Sequence, residues 1–267
     1  MKNLFLLSVM CFLVIEAGTI YAQTETGALY KKHTFEIAPE VSYVTYEEPG
    51  VLKESGIMYG LVGSYTYHNR IMLKVEGRFT YGKLDYYALG GAPVPENSNR
   101  DYMFEVRGLG GYDFPILKSS ILTPYVGIGY RYFNDDVLPR PYERESEYIY
   151  TPIGIRFITG LGKGWSVGGE GEFDYLWWGK QINHPIDVIP GLIEDIESRV
   201  KNAYGLGGSV TLEKRYKKVI LEGGPFIRYW DVGKLELVNL NYGIPIDPSW
   251  ISKNHSTEIG FKLGVKF

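Results

Sequence analysis

The sequence predicts an all-β chain: a closed antiparallel transmembrane β-barrel, most simply of ten strands, with short periplasmic turns and long extracellular loops. Three observations lead there. After residue 32, apolar and charged residues alternate with period two along almost the whole chain, the pattern of strands with two unlike faces. The connections between these segments run long, then short, without a break; membrane barrels have this asymmetry, and soluble sandwiches have no reason for it. Aromatic residues make up 15% of the chain, 23 of them Tyr, and gather near the segment ends, where rings with one polar edge favour the headgroup level of a bilayer.

Composition removes the main competitors. The 28 Lys and Arg against 31 Asp and Glu give a net charge of −3, which is no electrostatic footprint for nucleic acid. With 33 Gly and abundant Tyr, turns and strands are favoured over a helical bundle. Beyond the N-terminus no apolar run approaches the ~20 residues of a spanning helix.

The elements follow in chain order. Lys2, an apolar core over 4–15 and Ala22 at a cleavage point form the tripartite pattern of a secretory signal peptide. Residues 1–22 are thus expected to be removed, 23–32 to form a short lead-in, and 33–267 to form the barrel domain. The single cysteine, Cys11, lies in the apolar core, so the exported chain would hold neither disulfides nor a thiolate metal site.

Strands are expected near 33–46, 56–68, 70–84, 100–114, 121–133, 147–160, 165–178, 200–213, 218–230 and 255–267. The cleanest is the third, where Ile71, Leu73, Val75, Phe79 and Tyr81 alternate with Lys74, Glu76 and Arg78. Each segment exceeds the ~9–11 residues that a tilted strand needs to cross the hydrocarbon. Short connections fall around 68–70, 115–120, 161–164 and 214–217. Long ones fall at 47–55, 85–99, 134–146, 179–199 and 231–254. An even strand count puts both chain ends on the periplasmic side. Within 186–196 the apolar spacing is near-helical, which predicts a short amphipathic helix at the barrel mouth. Tyr43, Tyr46, Tyr59, Tyr65, Tyr67, Tyr81, Tyr130, Tyr132, Trp177, Trp178, Tyr229 and Trp230 are assigned to aromatic girdles. An amphipathic last strand ending on Phe267 is the kind of signal that outer-membrane assembly machinery recognises.

With the apolar face toward lipid, the other face supplies the lumen. The inward candidates are Glu36, Glu40, Lys74, Glu76, Arg78, Asp101, Glu105, Arg107, Arg131, Arg156, Glu170, Glu172, Asp174, Glu222, Arg228, Glu258 and Lys262. Their signs are mixed and nearly balanced. Eight strands leave room only for side chains, and aqueous pores appear at about 16–18, so a ten-stranded lumen is expected to be plugged by paired charges. Glu170, Glu172 and Asp174 in particular would pair with Arg156 and Lys201.

Several stretches resemble a family of outer-membrane β-barrel proteins of uncharacterised activity: 107–113 (RGLGGYD), 123–132 (TPYVGIGYRY), 134–136 (NDD), 144–146 (RES) with 148–154 (YIYTPIG), 226–231 (FIRYWD) and 257–260 (TEIG). The resemblance implies a barrel and no particular chemistry. In strand count and loop layout the chain also resembles the omptin proteases and the ten-stranded outer-membrane adhesins. Omptins place an Asp pair on one side of the cleft and an Asp–His pair on the other. Here the only matches are Asp85 without a second Asp beside it, and His184 followed by Asp187 at the wrong spacing. The omptin catalytic set is therefore incomplete.

Other chemistry is thinner. His33, His68, His184 and His255 are scattered without metal-ligand spacing, and no cofactor is implied. The glycines over 108–111 read as strand glycines rather than a phosphate loop. His255-Ser256 is a single adjacent pair, too little for a lipid A deacylase site. The expected function is a non-catalytic surface, interaction or envelope-structural role in the outer membrane of a Gram-negative cell. The alternative is a membrane-embedded hydrolase, either an omptin-like peptidase or a lipid A-modifying enzyme, using Asp85, His184 and Asp187. Expected partners are outer-membrane lipid and lipopolysaccharide, the barrel assembly machinery through Phe267, and an extracellular ligand at loops 85–99, 134–146, 179–199 or 231–254. No nucleic acid is expected.

Overall fold

The computed structural model of the chain describes residues 29–88, 93–137, 142–184, 195–238 and 252–267. The expected signal-peptide segment, Asp187, Asp136, Arg140 and Trp250 lie outside the residues or side chains so described.

The described residues form β1 (His33–Glu48), β2 (Leu52–Asn69), β3 (Ile71–Ala88), β4 (Pro93–Tyr112), β5 (Phe114–Leu117), β6 (Ser120–Val137) and β7 (Tyr142–Gly162). They continue with β8 (Trp165–Asn183), β9 (Ile196–Val200), β10 (Ala203–Tyr216), β11 (Val219–Val232), β12 (Leu235–Leu237) and β13 (Asn254–Lys266). Ten long strands close on themselves in an antiparallel barrel. From β1 the wall runs through β2, β3, β4, β6, β7, β8, β10 and β11 to β13, which pairs back onto β1 with Glu40 opposite Lys262 and Val41 opposite Phe261. The three short strands are accessory. β5 continues the line of β4 and pairs with β6, while β9 extends the end of β8 and carries β12.

Each wall strand alternates as its sequence does. In β3, Met72, Lys74, Glu76, Arg78 and Thr80 are buried toward the lumen, whereas Ile71, Leu73, Val75, Phe79 and Tyr81 are exposed outward. The same outward exposure at Leu61, Val126, Ile128, Leu206, Ile227 and Leu263 makes a continuous apolar belt around a polar interior. Such a belt would be an association liability in water and is the lipid-facing band of a membrane barrel. Aromatic rings rim it on both sides: Tyr65 packs on Phe35 at one end, and Tyr43, Tyr59, Tyr81, Tyr175 and Trp177 are exposed at the other.

Two assigned girdle residues face inward instead. Tyr46 and Trp230 are buried in the lumen, because each lies on the inward phase of its strand. Trp177 and Trp178 are both exposed although adjacent. A register shift opposite Ile149 and Tyr150 inserts one extra residue in β8 there, which lets two consecutive side chains share a face.

The strands also run further than the apolar pattern indicates, and the long outer loops shrink accordingly. Beyond Tyr81 the outward positions turn polar at Lys83, Asp85 and Arg100, yet β3 and β4 stay paired, with Lys83 opposite Arg100 and Asp85 opposite Ser98. The end of the apolar face marks the edge of the lipid band; the ladder continues past it. Instead of a loop over 47–55 there is a turn of three residues between β1 and β2. Val51 N donates to Glu48 O at 2.9 Å across Pro49 and Gly50; Pro followed by a residue at φ +80° is a type II turn. In the expected helix at 186–196, residues 185–194 lie outside the described set, and Ile196 opens β9.

At the opposite end the turns are tight. Lys163 and Gly164 both have positive φ, 52° and 79°, the combination of a two-residue hairpin whose twist matches its strands. Phe267 and the described lead-in residues 29–32 are at this end, and the latter lie across the mouth. His68 N donates to Lys32 O at 2.9 Å, the Tyr30 ring stacks on His68 at 4.0 Å, and Arg215 Nη2 donates to Leu29 O at 2.9 Å.

Three inward aromatics lie over glycines directly across the ladder: Tyr150 over Gly129, Tyr125 over Gly154 and Phe226 over Gly260. In each case the ring occupies the place a Cβ would take. The glycines thus let large rings lie flat against the inner wall.

Candidate functional site

The lumen is the candidate site, and its side chains stack in tiers from the periplasmic turns outward. In the lowest tier His68 Nδ1 sits 2.8 Å from Asp113, which also accepts a hydrogen bond from Thr123 Oγ1 at 2.6 Å. Beside it Lys266 bridges Glu213 and Glu222, each at 2.6 Å. One tier higher, Lys262 bridges Glu36 at 2.7 Å and Glu222 at 3.2 Å, Lys74 pairs with Glu76, and Arg156 meets Glu170 at 3.2 Å.

Longer links cross the middle. Arg107 of β4 joins Glu76 of β3 at 2.7 Å to Glu172 of β8 at 2.5 Å. Arg78 of β3 reaches Glu40 of β1 at 2.5 Å and also Glu258 of β13, with Arg228 of β11 at 3.9 and 3.7 Å from the same two acids. The Tyr125 hydroxyl donates to Glu170 and Glu172, and that of Tyr150 donates to Glu105. A cavity of about 80 Å³ remains beside β10 and β11, where Gly207 and Gly224 project nothing into the space; that is room for a few waters.

The outer tier contains groups that sequence reasoning assigned to loops or passed over. Arg144 pairs with Glu48 and Asp135 and lies 4.9 Å above the Tyr46 ring. Glu54 is fully buried in the same tier, as is Asp101, which the alternation already places inward. Because β1, β6 and β7 continue past the lipid band, residues expected in loops 47–55 and 134–146 become part of the wall. Lys201, expected as a partner for the acids of β8, is exposed and pairs with Glu236 instead; it follows β9, outside the barrel ladder.

At the outer rim His184 Nδ1 is 2.9 Å from Asp195 Oδ2, and its Nε2 is 3.9 Å from Glu145. Asp195 is eleven residues along the chain, so no local spacing in the sequence reveals it; the β8–β9 connection brings it back. Asp85 is on β3 and its side chain is exposed on the outer face, so it does not join His184. Among the described residues, no group of three or more His, Cys, Asp or Glu is arranged to hold a metal ion.

No family model and no curated protein matches the chain. Solved structures do. The outer membrane protease OmpT from Escherichia coli superposes with a TM-score of 0.60 at 10% identity, over 88% of this chain and 96% of that one. The fold is that of OmpT. The toluene transporter TbuX from Ralstonia pickettii matches with a TM-score of 0.40 at 8% identity, over 91% and 92% of the two chains. The translocator domain of the autotransporter NalP from Neisseria meningitidis matches with a TM-score of 0.37 at 11% identity, over 98% and 97%. The likeness to OmpT establishes an outer-membrane barrel fold, and at this identity it establishes nothing about chemistry.

Proposed function

We propose that the protein is an integral outer-membrane β-barrel, exported by a cleaved signal peptide over 1–22, with a lumen closed by its own side chains. In this reading it serves a non-catalytic surface, interaction or envelope-structural role. The supporting observation is the pair of cross-lumen links through Arg107 and Arg78, which tie β4 to β8 and β3 to β1 and β13 through the barrel's middle. Removing one partner of such a buried pair strands a charge, so the links resist opening as well as filling the space. The apolar belt would face outer-membrane lipid, with lipopolysaccharide and any extracellular ligand meeting the strand tips and outer connections, and Phe267 would serve the assembly machinery. Purified barrel in planar bilayers is expected to give no stable conductance. Regular large channel steps would overturn the closed-lumen reading.

A second reading, a membrane-embedded hydrolase acting on peptides or lipid A, is favoured by the hydrogen-bonded His184–Asp195 pair at the rim. An imidazole oriented by a carboxylate is a plausible general base. Cleavage of basic peptides or deacylation of lipid A by the refolded barrel would establish it.

A further inference from the structure

Four carboxyls are turned into the outer tier: Glu48 of β1, Glu54 of β2, Asp101 of β4 and Asp135 of β6, none more than 1% exposed. The guanidinium among them, Arg144 of β7, is taken up by Glu48 and Asp135. Lys53, Lys83 and Arg100 are exposed on the outward positions of β2, β3 and β4, pointing away from the tier. Among the described residues the tier therefore holds more acid than base.

Two of these acids are set against each other. Tyr102 of β4 pairs with Asn134 of β6, so one step further along both strands Asp101 faces Asp135. Neither oxygen of Asp101 meets a hydrogen-bond donor, and nor does Asp135 Oδ1. Like charges directly opposite in a ladder repel, and two buried carboxyls at close range do not both ionise. Arg144 holds Asp135 Oδ2, so Asp101 is the acid left to be neutralised. A proton on Asp101 supplies the donor that Asp135 Oδ1 lacks. The other titratable groups turned into the tier are Tyr46 and Glu48 of β1, Glu54 of β2, Tyr86 of β3 and Arg144 of β7. Glu54 adds to the repulsion on Asp101, and Arg144 opposes it. This level is at the outer edge of the lipid band, where Lys83 and Arg100 face outward. Burial, followed by the charge of Asp135, raises the Asp101 carboxyl well above the ordinary carboxylate range.

We propose that Asp101 and Asp135 form a proton-binding site beneath the outer mouth: one proton, carried on Asp101 and donated to Asp135, is held at neutral pH and makes the folded barrel more stable as the medium turns acidic. The sign follows from linkage. In the unfolded chain an Asp loses its proton at about pH 4, whereas in the barrel Asp101 keeps it. The stability contributed by the site is complete below that pH and falls as pH rises toward the value in the fold. For one proton the loss is at most about tenfold in the folding equilibrium per pH unit.

The test compares wild-type and Asp101→Asn barrels, inserted in vesicles, by urea unfolding between about pH 5 and pH 8. Asn keeps the shape of Asp, is neutral throughout, and can donate to Asp135 in place of the proton. Asp101→Asn is expected to gain on wild type as pH rises, the ratio of the two unfolding constants changing by at least about tenfold across the window. The exposed control Glu236→Gln is expected to keep the wild-type pH dependence. If Asp101→Asn does not fold, Asp135→Asn, which removes the facing charge, must remove the same dependence. All runs are repeated with choline in place of sodium. The assignment is overturned if the ratio changes less than this, or if a folded Asp101→Asn or Asp135→Asn barrel keeps the wild-type dependence. It is equally overturned if the effect of Asp101→Asn is present only in sodium, which would place a metal cation between the carboxylates instead of a proton. None of these outcomes depends on whether the barrel conducts or cleaves.

Discussion

Arg107 of β4 and Glu172 of β8 meet at 2.5 Å although β6 and β7 separate their strands in the wall. The pair is a chord through the barrel, and its partner bond to Glu76 anchors it on β3. Backbone pairing holds each strand only to its neighbours, so chords of this kind are what fix the cross-section.

Arg107→Met should therefore cost more than an ordinary surface ion pair. It leaves Glu76 with Lys74 and Glu172 with the Tyr125 hydroxyl, so the loss is expected near ~3 kcal/mol, the lower end for breaking a buried pair. Adding Glu172→Gln should recover part of it, with a coupling of about 1–2 kcal/mol. Urea unfolding of vesicle-inserted barrel, followed by loss of the folded band on unheated gels, measures both. Additive effects of the two substitutions would show that the chord carries no energy.

The outer belt gives a depth-dependent prediction. Val75 is 60% exposed in the middle of the apolar band, flanked by Leu73 toward one rim and Phe79 toward the other. Val75→Lys should destabilise the inserted barrel by about 2–4 kcal/mol, whereas a cation near an interface costs roughly 0–1 kcal/mol; Tyr81→Lys, at the rim, is the comparison. Equal losses in the same unfolding measurement would mean that the belt does not face hydrocarbon.

Much of this is readable in the chain because period two is imposed by the pleat itself. Every candidate from Glu36 to Lys262 lies on the lumen phase of its strand for that reason, and Lys74, Glu76 and Arg78 need no tertiary information to be placed there. Two things are not readable. Strand ends are set by hydrogen-bonded pairing, which continues through Lys83 and Arg100 after the apolar signal stops, so Glu48, Glu54, Asp135 and Arg144 pass for loop residues. Partners of this kind depend on how the barrel closes: nothing local joins Arg107 to Glu172, or His184 to Asp195.

The glycine–aromatic pairs carry a third prediction. A Cβ at Gly154 would collide with the Tyr125 ring, whose hydroxyl donates to Glu170 at 2.6 Å and Glu172 at 2.7 Å. Gly154→Ala must move the ring and loosen both hydrogen bonds, and is expected to cost about 1–3 kcal/mol. In a Tyr125→Phe background, where those bonds are already gone, the cost should fall. Gly63→Ala, where a Cβ meets nothing within 4 Å, should change stability by less than about 0.5 kcal/mol. A Gly154→Ala barrel as stable as wild type would show that the ring can lie elsewhere.

The rim histidine separates the two functional readings. His184 is half-buried beyond the end of β8, and its contacts are with Asp195 and Glu145, acids close to it on the same rim. In the structural reading it ties the β8–β9 connection to the wall, and an exposed tie of this kind is worth little. His184→Ala is then expected to shift unfolding by no more than about 0.5 kcal/mol and to leave surface binding intact. In the hydrolase reading the same substitution removes the imidazole that Asp195 holds at the outer mouth, so turnover of a basic peptide or of lipid A should vanish while folding is kept. Wild-type and His184→Ala barrels assayed side by side for cleavage and for heat-modifiable gel mobility distinguish the two. Cleavage that is present in the first and lost in the second, with mobility unchanged, would make His184 a catalytic residue and end the non-catalytic reading.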